Sequence, residues 1–447
     1  MLIRFAVENY NSFKERQVFS MAAGKQTRHA THCFAVNGKR LLKSSFFFGA
    51  NASGKSNFVR ALDFMRRVTL MGIGAMRYND RFFRIDSACK EKPGIFQIDF
   101  IAERTVFSYG FAIDYLTHEF RAEWLYRLDS SETETCIFER EQGHQIRTEL
   151  RLDKDSKIRF EVYCEDLKPD GLFLNEVGNK NIDEDSGLYD FIIAYEWFKN
   201  IIVVYPDSHA RNKNDFFLNP ASNTDSMIDM LRDFDTGIEE IKKGKQLAEK
   251  AFSFLPDELK KNILDDLEQT MRSMSSDKKR CTIEIRGYQF ETSVEEGEIY
   301  AEKIMLDHGN SEELFELSDE SDGTKRLFDL IPLYESGRKG KIIVVDELDR
   351  SFHFKLTEEY IKRFFEITKE KSCQLICTTH DLNLMDLRIL RQDEIWFIER
   401  EKDHSSRIYS LSDYKQRFDK NILNDYLIGR YGAIPCFRDS EWKVDSE

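Results

Sequence analysis

The sequence predicts an α/β fold: a mixed sheet flanked by helices, an antiparallel β subdomain and a helical insertion. Three observations lead there. The octad Gly49-Ala50-Asn51-Ala52-Ser53-Gly54-Lys55-Ser56 joins an apolar run to a helical pattern. A second apolar run, Lys341-Ile342-Ile343-Val344-Val345, ends in Asp346-Glu347, and a third, beginning at Gln374, ends in Thr378-Thr379-His380. Helix and strand patterns alternate around these runs, as they do in units built on a parallel sheet.

The elements follow in order. Met1–Val7 is interrupted too soon to be a signal peptide and reads as a strand. Ser45-Phe46-Phe47-Phe48 is a buried strand that stops at Gly49. From Lys55, the residues Phe58, Val59, Leu62 and Met65 recur at helical spacing. Residues 79–165 alternate apolar and polar, and Ile95–Phe100, Val106–Ile113, Arg121–Leu128 and Ile158–Tyr163 read as antiparallel strands. A helix over 186–200 precedes a strand, Ile201–Tyr205, stopped by Pro206. Residues 224–280 are charged and helical, with turns at Asp235-Thr236-Gly237 and Leu255-Pro256-Asp257, and too irregular for a long coiled coil. A strand pair, Cys281–Arg286 and Tyr288–Val294, follows. Beyond 312 come a helix from Gly323, strands at 341–345, 374–378 and 394–398, and a helix from about 355. The expected organisation is a core in two halves, 1–205 and 311–447, around a mainly helical insertion at 206–310.

Composition narrows the class. The chain has 447 residues, 41% of them hydrophobic and 36 of them Phe, so it can bury a large core. No apolar run is long enough to span a bilayer, so no membrane partner is expected. The eight cysteines are scattered without zinc-ribbon spacing, which suits a reduced, cytoplasmic protein. Cys373 and Cys377 flank an apolar strand and read as core thiols. The net charge of −14 argues against an electrostatic grip on nucleic acid over the whole surface. Lys242-Lys243-Gly244-Lys245 and Lys278-Lys279-Arg280 are small basic clusters, read as solvated helix ends or loops, and nucleic acid stays possible as a partner.

The octad has the G-x-x-x-x-G-K-[ST] form of a phosphate-binding loop, in the required strand–loop–helix setting. Glycines let consecutive N–H groups turn toward one anion, and the helix N-terminus adds its positive end. Gly49, Asn51, Ala52, Ser53, Gly54, Lys55, Ser56 and Asn57 would line ATP. Lys55 would reach the β- and γ-phosphates, and Ser56 would hold Mg2+. Hydrolysis needs a second site for metal and water. Asp346 would be the metal-side carboxylate, and Glu347 would orient or deprotonate water. In isolation, a strand stopping at an acidic turn would look the same; the loop upstream decides the reading. His380, just past a buried strand, would contact the γ-phosphate or the attacking water.

The order of loop, acidic strand and His-ended strand resembles the ABC-type ATPases that include SMC proteins and double-strand-break-repair ATPases. That resemblance implies a P-loop NTPase with an ABC-type core. Leu317-Ser318-Asp319-Glu320-Ser321-Asp322-Gly323-Thr324-Lys325-Arg326 looks like a variant of the ABC signature, with Ser321 and Gly323 at matching places. In that group the signature of one subunit contacts the nucleotide held by another. Asp322 departs from the glycine usual in transporters, and Ser321 would equally serve as an ordinary helix cap. Leu348-Asp349-Arg350-Ser351-Phe352-His353 resembles the D-loop. Asn175, Asn179 or Gln97 could replace the missing metal-reaching Gln.

A closer resemblance rests on Val7-Glu8-Asn9-Tyr10-Asn11-Ser12-Phe13, Asp233-Phe234-Asp235-Thr236-Gly237-Ile238, Glu320-Ser321-Asp322-Gly323-Thr324 and Gly429-Arg430-Tyr431-Gly432-Ala433-Ile434-Pro435. Together they resemble AAA-like ATP-binding proteins of bacterial abortive-infection systems, relatives of the OLD-family nucleases. The resemblance implies an antiphage sensor or regulator that self-associates with ATP and works with an effector such as a Toprim- or Rlo-type nuclease or a toxin. Alternatives are an OLD-like nuclease, an SMC-like repair ATPase and a weakly hydrolysing switch. The C-terminal acids Asp393, Glu394 and Glu399 lack the D-x-D pair expected of the nuclease.

Overall fold

The computed structural model describes residues 1–75, 81–128, 134–206, 224–274, 280–285, 288–310, 312–414 and 421–434. Lys278, Lys279, Arg286, Pro435 and Cys436 lie outside the described residues. The chain divides into two compact units, one of Met1–Pro206, Ser336–Asp349 and His353–Glu447, the other of Asp207–Glu335 and Arg350–Phe352. The first unit breaks off after Pro206 and resumes at Ser336, where the sequence reading put the bounds at 205/206 and 310/311. The signature segment thus belongs with the inserted unit.

The strands of the first unit begin with β1 (Leu2–Glu8), β2 (Gln17–Ser20), β3 (Cys33–Val36), β4 (Lys39–Leu42) and β5 (Ser44–Phe48). After the loop helix α1 (Lys55–Met71) come β6 (Gly94–Ala102), β7 (Thr105–Ile113), β8 (Phe120–Leu128), β9 (Glu134–Glu141) and β10 (Ile201–Val204). The inserted unit holds β11 (Glu240–Leu247), β12 (Arg280–Ile285), β13 (Tyr288–Glu295), β14 (Glu298–Asp307) and β15 (Phe315–Glu316). The first unit resumes with β16 (Ile342–Val345), β17 (Gln374–Thr378), β18 (Ile395–Arg400) and β19 (Ser406–Ser410).

Two six-stranded sheets and the two-stranded antiparallel pair β3-β4 build the first unit. One six-stranded sheet is antiparallel, in the order β2-β1-β6-β7-β8-β9; the other six-stranded sheet runs β10-β16-β17-β5-β18-β19 and is parallel except for its last pair. The central strands β16, β17 and β5 are wholly buried, which explains their unbroken apolar pattern. Helix α1 buries Phe58, Val59, Leu62, Met65 and Val68 in a core shared with both sheets. Phenylalanines knit the layers: Phe58 meets Phe47 at 4.3 Å and Phe5 at 5.8 Å, and Phe19 meets Phe47 at 5.0 Å. Cys373 and Cys377 are fully buried here. No helix among the described residues is long and apolar enough to cross a membrane.

The structure corrects two expectations. Ile158–Tyr163 is not a strand but lies in a helix, Lys154–Asp166, capped by Asp153, whose carboxylate accepts from Ser156 N–H at 2.8 Å. Its apparent alternation leaves Ile158 and Val162 exposed, while Ser156 and Phe160 are buried four residues apart. The insertion is not mainly helical either. Its center is a sheet, β11-β14-β13-β12 with β15 on β14, against which helix Asp257–Ser273 packs Leu267 and Met271 beside Phe252 and Phe290. Strand β11 (EIKKGKQL) has a helix-like charge content, yet pairs with β14 along its whole length. Two of its three lysines meet acids of the same sheet: Lys242 pairs with Asp307 at 2.5 Å, and Lys245 with Glu295 at 2.6 Å. The basic cluster is therefore largely compensated within its own sheet.

Candidate nucleotide site

Parallel pairing decides where the site forms. Thr378 of β17 is in register with Phe47 of β5, and Val345 of β16 with Cys377 of β17. Three neighboring strands therefore release Gly49, Asp346 and His380 at one carboxyl edge, where open α/β sheets bind ligands.

The loop backbone is unusual. Gly49 has φ +155°, Ala52 +60° and Gly54 +115°. A side chain at Gly54 would come within 2.2 Å of Ser406 Oγ and 2.8 Å of Ser12 Oγ, so only glycine fits. Ser406 Oγ donates to Ser53 O at 2.6 Å, and Asn57 Nδ2 donates to Ser12 Oγ at 2.9 Å. Asn57 thus ties α1 to the N-terminal turn. Asn51 and Ala52 are exposed at the crest. Ser53 Oγ is buried with no hydrogen-bond partner. Such a hydroxyl suits a site that takes an oxygen-rich anion.

Lys55 is buried and its ammonium donates to Gly49 O at 2.8 Å and Ala50 O at 3.1 Å. Burial pulls its pKa down to about 8, against the opposing pull of Asp346, Glu347 and Asp349. A phosphate group would replace two carbonyl dipoles with a full negative charge and restore the ammonium.

Ser56 Oγ donates to Asp346 Oδ1 at 3.2 Å, and the same oxygen accepts from Thr378 Oγ1 at 2.6 Å. Asp346 is 2% exposed. Thr378 Oγ1 also accepts the Glu347 N–H at 2.8 Å. One buried hydroxyl therefore positions both acids. Glu347 has φ +53°, a conformation L-residues avoid, and such strain persists where the surroundings over-determine it. The His380 N–H donates to both Asp349 oxygens at 3.1 Å. The pKa of its imidazole is lowered, first by desolvation and then by Lys55, so the ring is neutral near pH 7. The hydroxyl–carboxylate pair of Ser56 and Asp346 fits Mg2+, which prefers few protein oxygens together with phosphate oxygens and water.

A family model described as "AAA domain, putative AbiEii toxin, Type IV TA system" matches residues 44–386. The chain belongs to this family. The match runs from β5 through the loop, both acids and His380 of this AAA-family protein. The chain is also similar to solved SMC heads at low identity. The SMC head domain from Thermotoga maritima shares 12% identity at a TM-score of 0.37, covering 92% of this chain and 98% of that one. An SmcHead bound to the C-winged helix domain of ScpA shares 15% at 0.35, covering 92% and 97%. An Smc head domain with an extended coiled coil, bound to the C-terminal domain of ScpA derived from Pyrococcus furiosus, shares 15% at 0.34, covering 92% and 96%. No curated protein matches the chain.

Other sequence-predicted residues of this AAA-family protein have structural partners of their own. Ser321 and Gly323 belong to the inserted unit. There Ser321 caps helix Asp322–Leu330, its Oγ accepting from Thr324 N–H at 3.1 Å. A Cβ at Gly323 would stand 2.9 Å from Ser351 O, so glycine permits that close approach. The Asp322 side chain is 85% exposed. Asn175 donates to Thr69 O at 2.8 Å, and Asn179 bonds Asn175 O and Tyr195. Both lie at the far end of α1, a helix of 17 residues, so they are not where the missing Gln would act. Gln97 is engaged on the antiparallel sheet by Arg16, Asp99 and Ser108. The C-terminal acids have structural partners: Asp393 pairs with Arg391, Glu394 with His32 and Ser44, and Glu399 with Ala433 N–H and Tyr409.

Sequence reasoning missed the linking role of Thr378 and the bracing by Ser12 and Ser406. Thr378 was legible as the last residue of an apolar strand. Nothing local pointed to Ser406.

Proposed function

We propose that this AAA-family chain binds MgATP at the loop, hydrolyses it, and uses ATP-dependent association of two copies to control a partner effector in bacterial antiphage defence. The observation that carries the catalytic part is the shared Asp346 oxygen, bonded by Ser56 at 3.2 Å and by Thr378 at 2.6 Å beside a buried Lys55. A structural turn needs no loop lysine, loop serine and two strand-end acids on one edge.

Each residue then has a task. Loop amides and Lys55 hold the phosphates, and Lys55 stabilises charge that grows on the transferred group. Ser56 and Asp346 would hold Mg2+, which when bound neutralises phosphate charge. Glu347 orients water and accepts its proton, and neutral His380 holds the water or the terminal phosphate by hydrogen bonding. Ser321 and the amides of its helix N-terminus would meet the nucleotide of a second copy.

The defence role is supported by the family description, which names a putative AbiEii toxin and a Type IV TA system. An effector nuclease or toxin follows from the resemblance of the sequence motifs. The nuclease reading of the chain itself is disfavored by the pairing of Asp393 and Glu394. The test is ATP binding and phosphate release by the purified chain and by Lys55→Ala. Unchanged binding and turnover in the variant would sink the proposal. Co-expression with the neighboring gene product, with and without phage, tests the effector role.

A further inference from the structure

The tail segment that ATP chemistry does not demand has a place in the structure. We propose that the C-terminal turn Gly429–Ile434 is a built part of the nucleotide site, clamping the entry limb of the phosphate loop so that its amides converge on phosphate. This rests on the ATP reading above.

The contact is direct: the Ala50 N–H donates to Ala433 O at 3.0 Å. Next to it, Gly49 has no room for a side chain, since a Cβ would lie 2.2 Å from Ile398 O. The entry limb is thus pressed between β18 and the turn. The exit limb is held separately by Ser406 and Ser12. A loop pinned at both ends has its curvature set before an anion arrives, which is the preorganisation an anion site needs.

The turn itself is built for this task. Gly429, Gly432 and Ala433 all have positive φ, at +79°, +72° and +56°. Tyr431 and Ala433 are buried. The Ala433 N–H donates to Glu399 Oε1 at 3.0 Å, and Tyr426 OH donates to Ala433 O at 2.8 Å. Tyr409 OH bonds Tyr431 O at 2.5 Å and Glu399 Oε2 at 3.1 Å. A chain end that merely covered apolar surface would not need a strained alanine whose amide and carbonyl are both aimed. Glu399, Tyr409 and Gly432 are positioning residues acting through Ala433.

The test uses the full chain and a fluorescent ATP analogue with Mg2+. In Gly432→Ala the new Cβ would stand 2.8 Å from both Glu399 oxygens and 2.9 Å from the Tyr409 hydroxyl, so the turn must move. Loss of one loop hydrogen bond should weaken binding about three- to tenfold and raise KM for ATP by the same factor, with kcat changed by less than about twofold. Glu399→Ala should act likewise, and Glu399→Gln, which keeps an acceptor, should restore binding to within about twofold. A purely structural role would lower the unfolding temperature but leave the affinity of the folded protein unchanged. Should Gly432→Ala fail to fold, the Glu399 pair decides. Folded variants that all bind as wild type, while Lys55→Ala does not, overturn the clamp. A wild-type chain that binds no ATP overturns the ATP reading and the clamp with it.

Discussion

Thr378→Val changes almost no volume and removes one oxygen. In the structure that oxygen donates to Asp346 Oδ1 at 2.6 Å and accepts the Glu347 N–H at 2.8 Å, and the residue is fully buried. Valine would leave a carboxylate short of one donor and a backbone amide without its acceptor. A hydrogen bond to a charged group contributes about 1.5–3 kcal/mol and a neutral one about 0.5–1.5 kcal/mol, so the pair is worth about 2–4.5 kcal/mol. Part of that should appear as lost stability. The rest should appear in catalysis, because Glu347 sits at φ +53° and the Thr378 hydroxyl helps to hold it there. The expected kcat for ATP hydrolysis falls about ten- to a hundredfold, with ATP affinity within about threefold of wild type. Steady-state phosphate release and nucleotide titration on the same preparation separate the two. Thr378→Ser, which keeps the hydroxyl, should recover most of kcat. If Thr378→Val turns over ATP at the wild-type rate with an unchanged unfolding midpoint, the hydroxyl does not position the acids.

Three further outcomes follow from the same geometry. Lys55 has its pKa lowered to about 8, and bound phosphate should raise it. ATP affinity should then be flat below about pH 8 and fall above it, by up to about tenfold per pH unit, with measurable proton uptake by calorimetry. Glu347→Gln should retain ATP and accumulate as an ATP-dependent dimer, visible in light scattering behind a sizing column; a monomer identical to wild type under those conditions would remove the composite-site model. Arg391 is buried and bonds Asp393 twice, at 2.9 and 2.8 Å, and Arg28 O at 2.7 Å, so Arg391→Ala strands a buried carboxylate. It should cost about 3–5 kcal/mol in urea unfolding without changing the ATP affinity of the folded protein.

The site's three strand ends were legible because each is a local pattern: an unbroken apolar run followed by the residues to which the proposal gives the chemistry. Strand β11 was not legible. Its lysines favor a helix or a solvated loop, and only acids brought from β13 and β14 make a strand the better state. The helix at 154–166 failed as a sequence reading for the opposite reason. Its apolar alternation is real, but half of it faces solvent. Asn175 and Asn179 suited the missing Gln by chemistry and order, and the length of α1 puts them at its wrong end.

The phosphate loop with its lysine and serine, the acidic strand end, and the alternating α/β order are written in contiguous residues, because dihedral preferences and hydrophobic period act over a few positions. What braces that loop is not. Ser12, Ser406 and Ala433 are far apart in sequence, and the Thr378 hydroxyl reaches two acids just past the end of the neighboring strand. These contacts exist only once parallel pairing and the β18–β19 hairpin have brought the segments within hydrogen-bond distance. A short local motif can therefore announce an anion site, while the shape that selects and holds the anion depends on tertiary contact.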